Sequence, residues 1–266
     1  MKKTLAIVLA VMMVFAALAM TGCTKKDEDA KTTSDLAYIQ DKGTLVIGIT
    51  DYAPMNYLDE AGNWTGFDTE FAQAVAAKLG VEANFVEIEW EQKIFEVDSK
   101  AIDCVWNGMT LTDEVLLAMD CSVPYVVNAQ VVVMDETKLA DYTTVESLAG
   151  LTFAAEAGSA GAAAITEAGY TPVEVLTQTD ALMEVFAGSV DACVIDITMA
   201  NAMTGEGTSY ADLGYAISLT QEEYGIGFRK GSDTVAKVNE VINELYEDGT
   251  LGTLAEKYDL TLAMSK

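Results

Sequence analysis

Residues 96–107 read EVDSKAIDCVWN and residues 184–195 read EVFAGSVDACVI. In both, Glu-Val is followed after the same interval by a branched residue and Asp, and then by a run of apolar residues. Each copy reads as the end of a helix, a turn and a buried strand. A chain that carries this unit twice is expected to form two similar α/β lobes, one on each side of a cleft. In open α/β sheets ligands bind beyond the carboxyl ends of the strands. Here that means the loops after Thr50, Trp106, Ala155 and Ile195.

The rest of the chain agrees with this alternation. Apolar, β-rich runs predict strands at 44–50, 85–88, 102–106, 129–134, 151–155, 192–195 and 224–228. Helical spacing predicts a helix at 69–79, with Phe71, Val75 and Leu79 on one face and Gly80 as its stop. Further helices are expected at 92–98, from the Thr112 cap to 119, from Gly158-Ser159 to 168, and at 180–187, 233–247 and 250–258. Strands alternating with helices imply layered α/β architecture with largely parallel sheets.

The N-terminus has a different character. Lys2 and Lys3 precede an uncharged apolar run from Leu5 to Met20, and Thr21-Gly22 leads into Cys23. This resembles the lipobox of a bacterial lipoprotein precursor, cleaved before a cysteine that receives diacylglycerol. Residues 1–22 are expected to be an export signal and are set aside from fold reasoning. Residues 23–35 are expected to be a polar, lipid-anchored spacer. The folded body is thereby expected outside the cytoplasm, held at the membrane through Cys23.

Charge and composition exclude several functions. Without Lys2 and Lys3 the chain holds 13 basic residues against 42 acidic ones. A polyanion would be repelled, so nucleic acid is not an expected partner. No histidine is present, which removes Ser-His-Asp and Cys-His catalysis and imidazole metal sites. Neither a metal nor another cofactor is expected. Cys104, Cys121 and Cys193 lack CxxC spacing, and Cys104 and Cys193 lie in apolar runs, so buried thiols are favoured while one disulfide stays open. Arg229 is the only arginine.

Read in order, GTLVIGITDYAPMNY, GNWTGFDTEFAQAVAAKLG, SKAIDCVWNGMTLTDE, MDCSVPYV, SLAGLTFAAEAGSAG, SVDACVID, YGIGFRKGSD and YEDGTLGTLAEKYDL carry a resemblance. The chain resembles the polar amino acid-binding family of extracytoplasmic solute-binding proteins of ABC importers, with a periplasmic-binding-protein type II fold. The resemblance covers essentially all of residues 36–260. It implies one lobe from 36–126 and 227–266, a second from 130–223, and crossings near 126–128 and 224–225. It also implies a monomer that closes on a small solute by hinge motion and delivers it to a membrane permease.

The same resemblance assigns site residues. Tyr52 and Trp90 would be aromatic walls of the solute pocket. Asn107, Gly108 and Thr110 would form the loop that meets the amino and carboxylate ends of the solute. Ser159 and Ala160 open a helix whose unpaired N–H groups suit a carboxylate. Asp196 would receive an ammonium group. No residue is expected to be catalytic.

One position departs from the pattern. Val115 stands where many relatives carry an arginine that bridges the solute carboxylate. Lys93 is the nearest replacement, as a point charge. The alternatives are a receptor for an amine or another solute without a carboxylate, or an extracytoplasmic sensor or an enzyme on the same fold.

Overall fold

The computed structural model describes residues 34–264. The predicted export signal, Cys23 and nearly all of the predicted spacer lie outside the described residues. The spacer expectation overlaps the fold at its end: the Ser34 side chain accepts a hydrogen bond from Ala37 N and caps a helix beginning at Asp35.

The first lobe is built on a six-stranded sheet. The chain enters through α1 (Asp35–Lys42) and β1 (Thr44–Ile49). A small hairpin, β2 (Tyr57–Leu58) and β3 (Trp64–Thr65), precedes α2 (Phe67–Leu79) and β4 (Glu82–Glu87). Then follow α3 (Lys93–Asp98), β5 (Cys104–Thr110), α4 (Asp113–Ala118), β6 (Asp120–Cys121) and β7 (Val126–Asn128). The second lobe holds β8 (Gln130–Asp135), β9 (Phe153–Glu156), α5 (Ala160–Glu167), β10 (Pro172–Val175), α6 (Gln178–Phe186), β11 (Ala192–Asp196), α7 (Ile197–Met203) and β12 (Leu213–Ser218). The chain returns to the first sheet as β13 (Glu222–Phe228) and ends in α8 (Thr234–Glu247) and α9 (Thr250–Lys257).

The first sheet has the order β4-β1-β5-β13-β6, with β7 also paired to β13; the second has the order β10-β9-β11-β8-β12. In each, three strands run parallel and the returning strands run antiparallel. The chain passes between sheets between Asn128 and Gln130 and again at residues 219–221. The second crossing therefore precedes the expected 224–225, because β13 already pairs with β7 from Glu222 onward.

The sequence repeat has a structural counterpart. Asp103 donates its N–H to Val46 O at 2.8 Å and accepts from Val46 N at 2.7 Å through its carboxylate. Asp191 does the same with Thr152: its N–H donates to Thr152 O at 3.1 Å and its carboxylate accepts from Thr152 N at 2.9 Å. Each Asp thus clips the start of the repeated strand to its parallel neighbour. Charge-assisted bonds of this kind fix register where side-chain packing alone would allow slippage. The strands that follow, β5 and β11, lie inside their sheets and are buried throughout.

The core agrees with the apolar patterning. Phe71, Val75 and Leu79 of α2 are buried beside Ile47, Trp106 and Tyr125, and Phe71 meets Trp106 edge-on at 4.9 Å between ring centroids. Gly80 ends α2 in the left-handed conformation, as expected of a glycine stop. The helix α2 begins two residues earlier than expected, after Gly66, so Asp68 lies within its first turn and is completely buried. Cys104, Cys121 and Cys193 are all free thiols. Among the described residues no helix is long and apolar enough to cross a membrane.

Candidate ligand-binding cleft

Between the sheets lies a cavity of about 230 Å³. That is below the common range of ~300–1,000 Å³ for ligand pockets, so it suits a small solute. The first lobe contributes Trp90, Lys93, the β5 end at Asn107, Gly108 and Thr110, and Val115 of α4. The second contributes Glu156, Ser159, Ala160, Gln178 and Asp196. The lining comes from the carboxyl ends of β5, β9 and β11 and the loops after them, where open α/β sheets place ligands.

The β5 end is held from below. Asn107 Nδ2 donates to Thr50 Oγ1 at 2.7 Å, and its Oδ1 accepts from Asn56 Nδ2 at 2.8 Å. Gly108 has φ +56° and donates its N–H to Asp68 Oδ2 at 2.6 Å. A Cβ there would lie 2.6 Å from the Tyr52 ring, so only glycine lets the strand pass this close to the aromatic behind it. Tyr125 OH also donates to Asp68 at 2.9 Å, and burial pushes the Asp68 carboxyl up to about 7.

Tyr52 is not a wall of the cavity; this corrects the expectation. Its ring packs behind Gly108, and its hydroxyl lies 2.5 Å from Thr198 Oγ1 and 2.5 Å from Tyr224 OH. It ties the first lobe to α7 of the second and to the returning strand. Trp90 does line the cavity, with Lys93 Nζ 5.0 Å from its ring centroid.

Lys93 is 7% exposed and is far from being a surface lysine. Its ammonium donates to Gly158 O across the cleft at 2.8 Å and to Trp90 O at 3.3 Å. One of its three protons remains for a further acceptor. Burial pulls its pKa down, while Glu114, Glu156 and Glu91 oppose that. Val115 lines the same cavity with an aliphatic side chain. Thr110 Oγ1 donates to Glu222 Oε1 at 2.9 Å.

On the second lobe, Ser159 caps α5 by accepting from Ala162 N at 3.1 Å. The first turn of the helix, beginning at Ala160, faces the cavity. Asp196 is held in a network that motif reading did not find. Its Oδ1 accepts from Asn128 Nδ2 and from Gln130 Nε2, the latter at 2.6 Å, and its Oδ2 accepts from Gln178 Nε2. Gln178 Oε1 in turn accepts from Asp196 N at 2.9 Å. Burial, and next the charge of Glu222, push Asp196 up to about 6 against these amide donors. Glu156 is the other omission. It ends β9 beside Asp196, and burial followed by the Asp196 charge pushes it well above the usual carboxylate range. Polar residues inside apolar runs, Asn128 and Gln130 ahead of VVVM and Glu156 after FAA, were the available signal.

Among the described residues no group of three His, Cys, Asp or Glu is arranged to hold a metal. The arrangement is chemically a binding site: an aromatic face, a helix start and titratable groups of both signs converge on one small cavity.

The comparisons with known proteins agree. The L-cystine-binding protein TcyJ of Escherichia coli (strain K12) is 30% identical over 226 residues, covering 83% of this chain and 84% of its own. An ABC uptake transporter substrate-binding protein from Streptococcus pneumoniae, solved with bound histidine, superposes with a TM-score of 0.77 at 29% identity, over 85% of this chain and 96% of its own. The ancestral amino acid-binding protein AncCDT-1, a precursor of cyclohexadienyl dehydratase, gives a TM-score of 0.78 at 30% identity, over 85% and 99%. Residues 45–261 match the model of the bacterial extracellular solute-binding proteins, family 3. The chain belongs to that family, and its two-lobed fold is the type II periplasmic-binding-protein fold.

Proposed function

We propose that this protein captures an amino acid or a close derivative by lobe closure and hands it to an ABC permease. The observation that carries this is the cavity between the lobes, where Asp196 and the start of α5 face Trp90 and the β5 end. In this reading the solute's ammonium group meets Asp196, and its carboxylate meets the N–H groups at Ala160 and the remaining proton of Lys93. The lobes correspond to the two sheets with their flanking helices, joined between Asn128 and Gln130 and at residues 219–221. The protein works as a monomer and does no chemistry on the solute. Export directed by residues 1–22 and lipidation of Cys23 hold it at the outer face of the cell membrane.

A thermal-shift screen over amino acids, followed by calorimetry, tests the reading. The bound solute raises Tm and compacts the molecule in small-angle scattering, because it contacts both lobes. Asp196→Asn weakens the solute by roughly 10–100-fold, the loss of about 1.5–3 kcal/mol expected for a hydrogen bond to a charged group. A screen without a hit, or scattering unchanged at saturation, overturns it. Cys23→Ala tests the anchor: labelling by a lipid precursor is lost if Cys23 is the acceptor.

A further inference from the structure

Glu156 is the last residue of β9, and Asp196 is the last residue of β11, its parallel neighbour. Both residues thus stand at the carboxyl end of the second sheet, and both line the cavity. Their surroundings differ sharply. Asp196 accepts from three side-chain amides, Asn128, Gln130 and Gln178. Glu156 is 2% exposed, and its Oε1 is buried with no hydrogen-bond partner among the described residues. A buried carboxylate oxygen without a donor is costly, and such groups are ordinarily paired.

The charge around the cavity is also unbalanced. Glu156, Asp196, Asp113 and Glu114 line it, and Lys93 is the one basic lining residue among the described residues. Two Lys93 protons are already committed to Gly158 O and Trp90 O. Glu222 adds a further carboxylate behind the wall, accepting from Asn128 and Gln130, the same amides that serve Asp196. At Val115, an aliphatic side chain adds no positive charge. A zwitterionic solute would leave this excess negative charge in place.

We propose that Glu156 is a specificity-determining carboxylate that shares with Asp196 the recognition of the solute's cationic end, so that the cleft selects solutes of net positive charge over net-neutral ones. This rests on the amino-acid reading above. The free Oε1 accepts a cationic N–H, and two carboxylates on one cationic end balance a charge that Lys93 alone cannot.

Calorimetry on two charge-differing pairs tests this: lysine with norleucine, and the best-bound neutral amino acid of the screen with its primary amide. The cationic member of at least one pair binds tenfold or more tightly in the unaltered protein. Glu156→Gln brings the members of that pair within about threefold, chiefly by weakening the cationic one. Equal affinities within both pairs in the unaltered protein overturn the proposal without any variant. So does a Glu156→Gln protein in which both members weaken equally, the result expected of a purely structural role. Binding of the neutral members alone overturns the proposal and leaves the amino-acid reading standing. Binding by none of the compounds overturns both.

Discussion

The Lys93 ammonium, on the first lobe, lies 2.8 Å from the carbonyl oxygen of Gly158 on the second. Gly158 has φ +68°, and a Cβ there would come within 2.9 Å of Glu91 Cα on the opposite lobe. This contact between the lobes thus depends on the absence of a side chain.

Gly158→Ala should therefore hinder closure. We expect solute affinity to fall at least tenfold, and the radius of gyration at saturating solute to exceed that of the unaltered closed protein. Small-angle scattering with calorimetry decides; full compaction with unchanged affinity would show that the lobes have slack at this point.

Lys93→Met removes both the bond to Gly158 and the positive charge beside the cavity. We expect an amino acid to weaken by roughly 10–100-fold, from the ~1.5–3 kcal/mol of charge-assisted bonds. The corresponding decarboxylated amine should weaken much less, since it has no carboxylate to lose a partner. Equal losses for both compounds would restrict Lys93 to lobe closure.

Tyr52→Phe deletes a buried hydroxyl that reaches Thr198 and Tyr224. The two hydroxyls left behind still meet each other at 2.9 Å. Urea unfolding should show a loss of about 1–2 kcal/mol, in the range for a buried hydrogen bond. A loss near zero would mean that the Thr198–Tyr224 bond compensates fully.

Stability should decline from about pH 5 to pH 8. Burial raises Asp68 to about 7, Asp196 to about 6 and Glu156 well above its ordinary range. Each binds a proton in the folded chain at a pH where the unfolded chain has released it. Their contribution is complete below the unfolded carboxylate values and is lost as pH rises through the folded ones. Tm measured across this range should fall, and Asp68→Asn should flatten part of the slope. A Tm that rises with pH would contradict these environments.

Much of the fold could be read from residue patterns, because buried parallel strands announce themselves as apolar runs. The repeat around Asp103 and Asp191 located both inner strands and hence the cleft. Edge strands were less legible. In β10, two of four residues are exposed, and β12 mixes buried Leu213 and Ile217 with open positions, so neither forms an apolar run. The helix α1 was not foreseen: only Asp35 fell in the expected spacer, and with Ile39 as its one buried residue the helix has no apolar face to read. In the site, Asn107, Gly108, Thr110, Ser159, Ala160, Asp196, Trp90 and Lys93 all line the cavity. Tyr52 does not, because Gly108 leaves room for its ring behind the strand. The supporting amides Gln130 and Gln178 follow no spacing rule; their role exists only once separate strands and helices meet.

The bonds from Tyr52 to Thr198 and from Lys93 to Gly158 join the lobes through the protein's own atoms. Apparent affinity is the intrinsic affinity scaled by the fraction of molecules able to close. Substitutions at the Tyr52 cluster, which lies off the cavity, therefore change the concentration at which every solute is captured by a common factor. The order of preference among solutes stays with the lining residues. Threshold and taste are set by different parts of the molecule, and each can drift without the other.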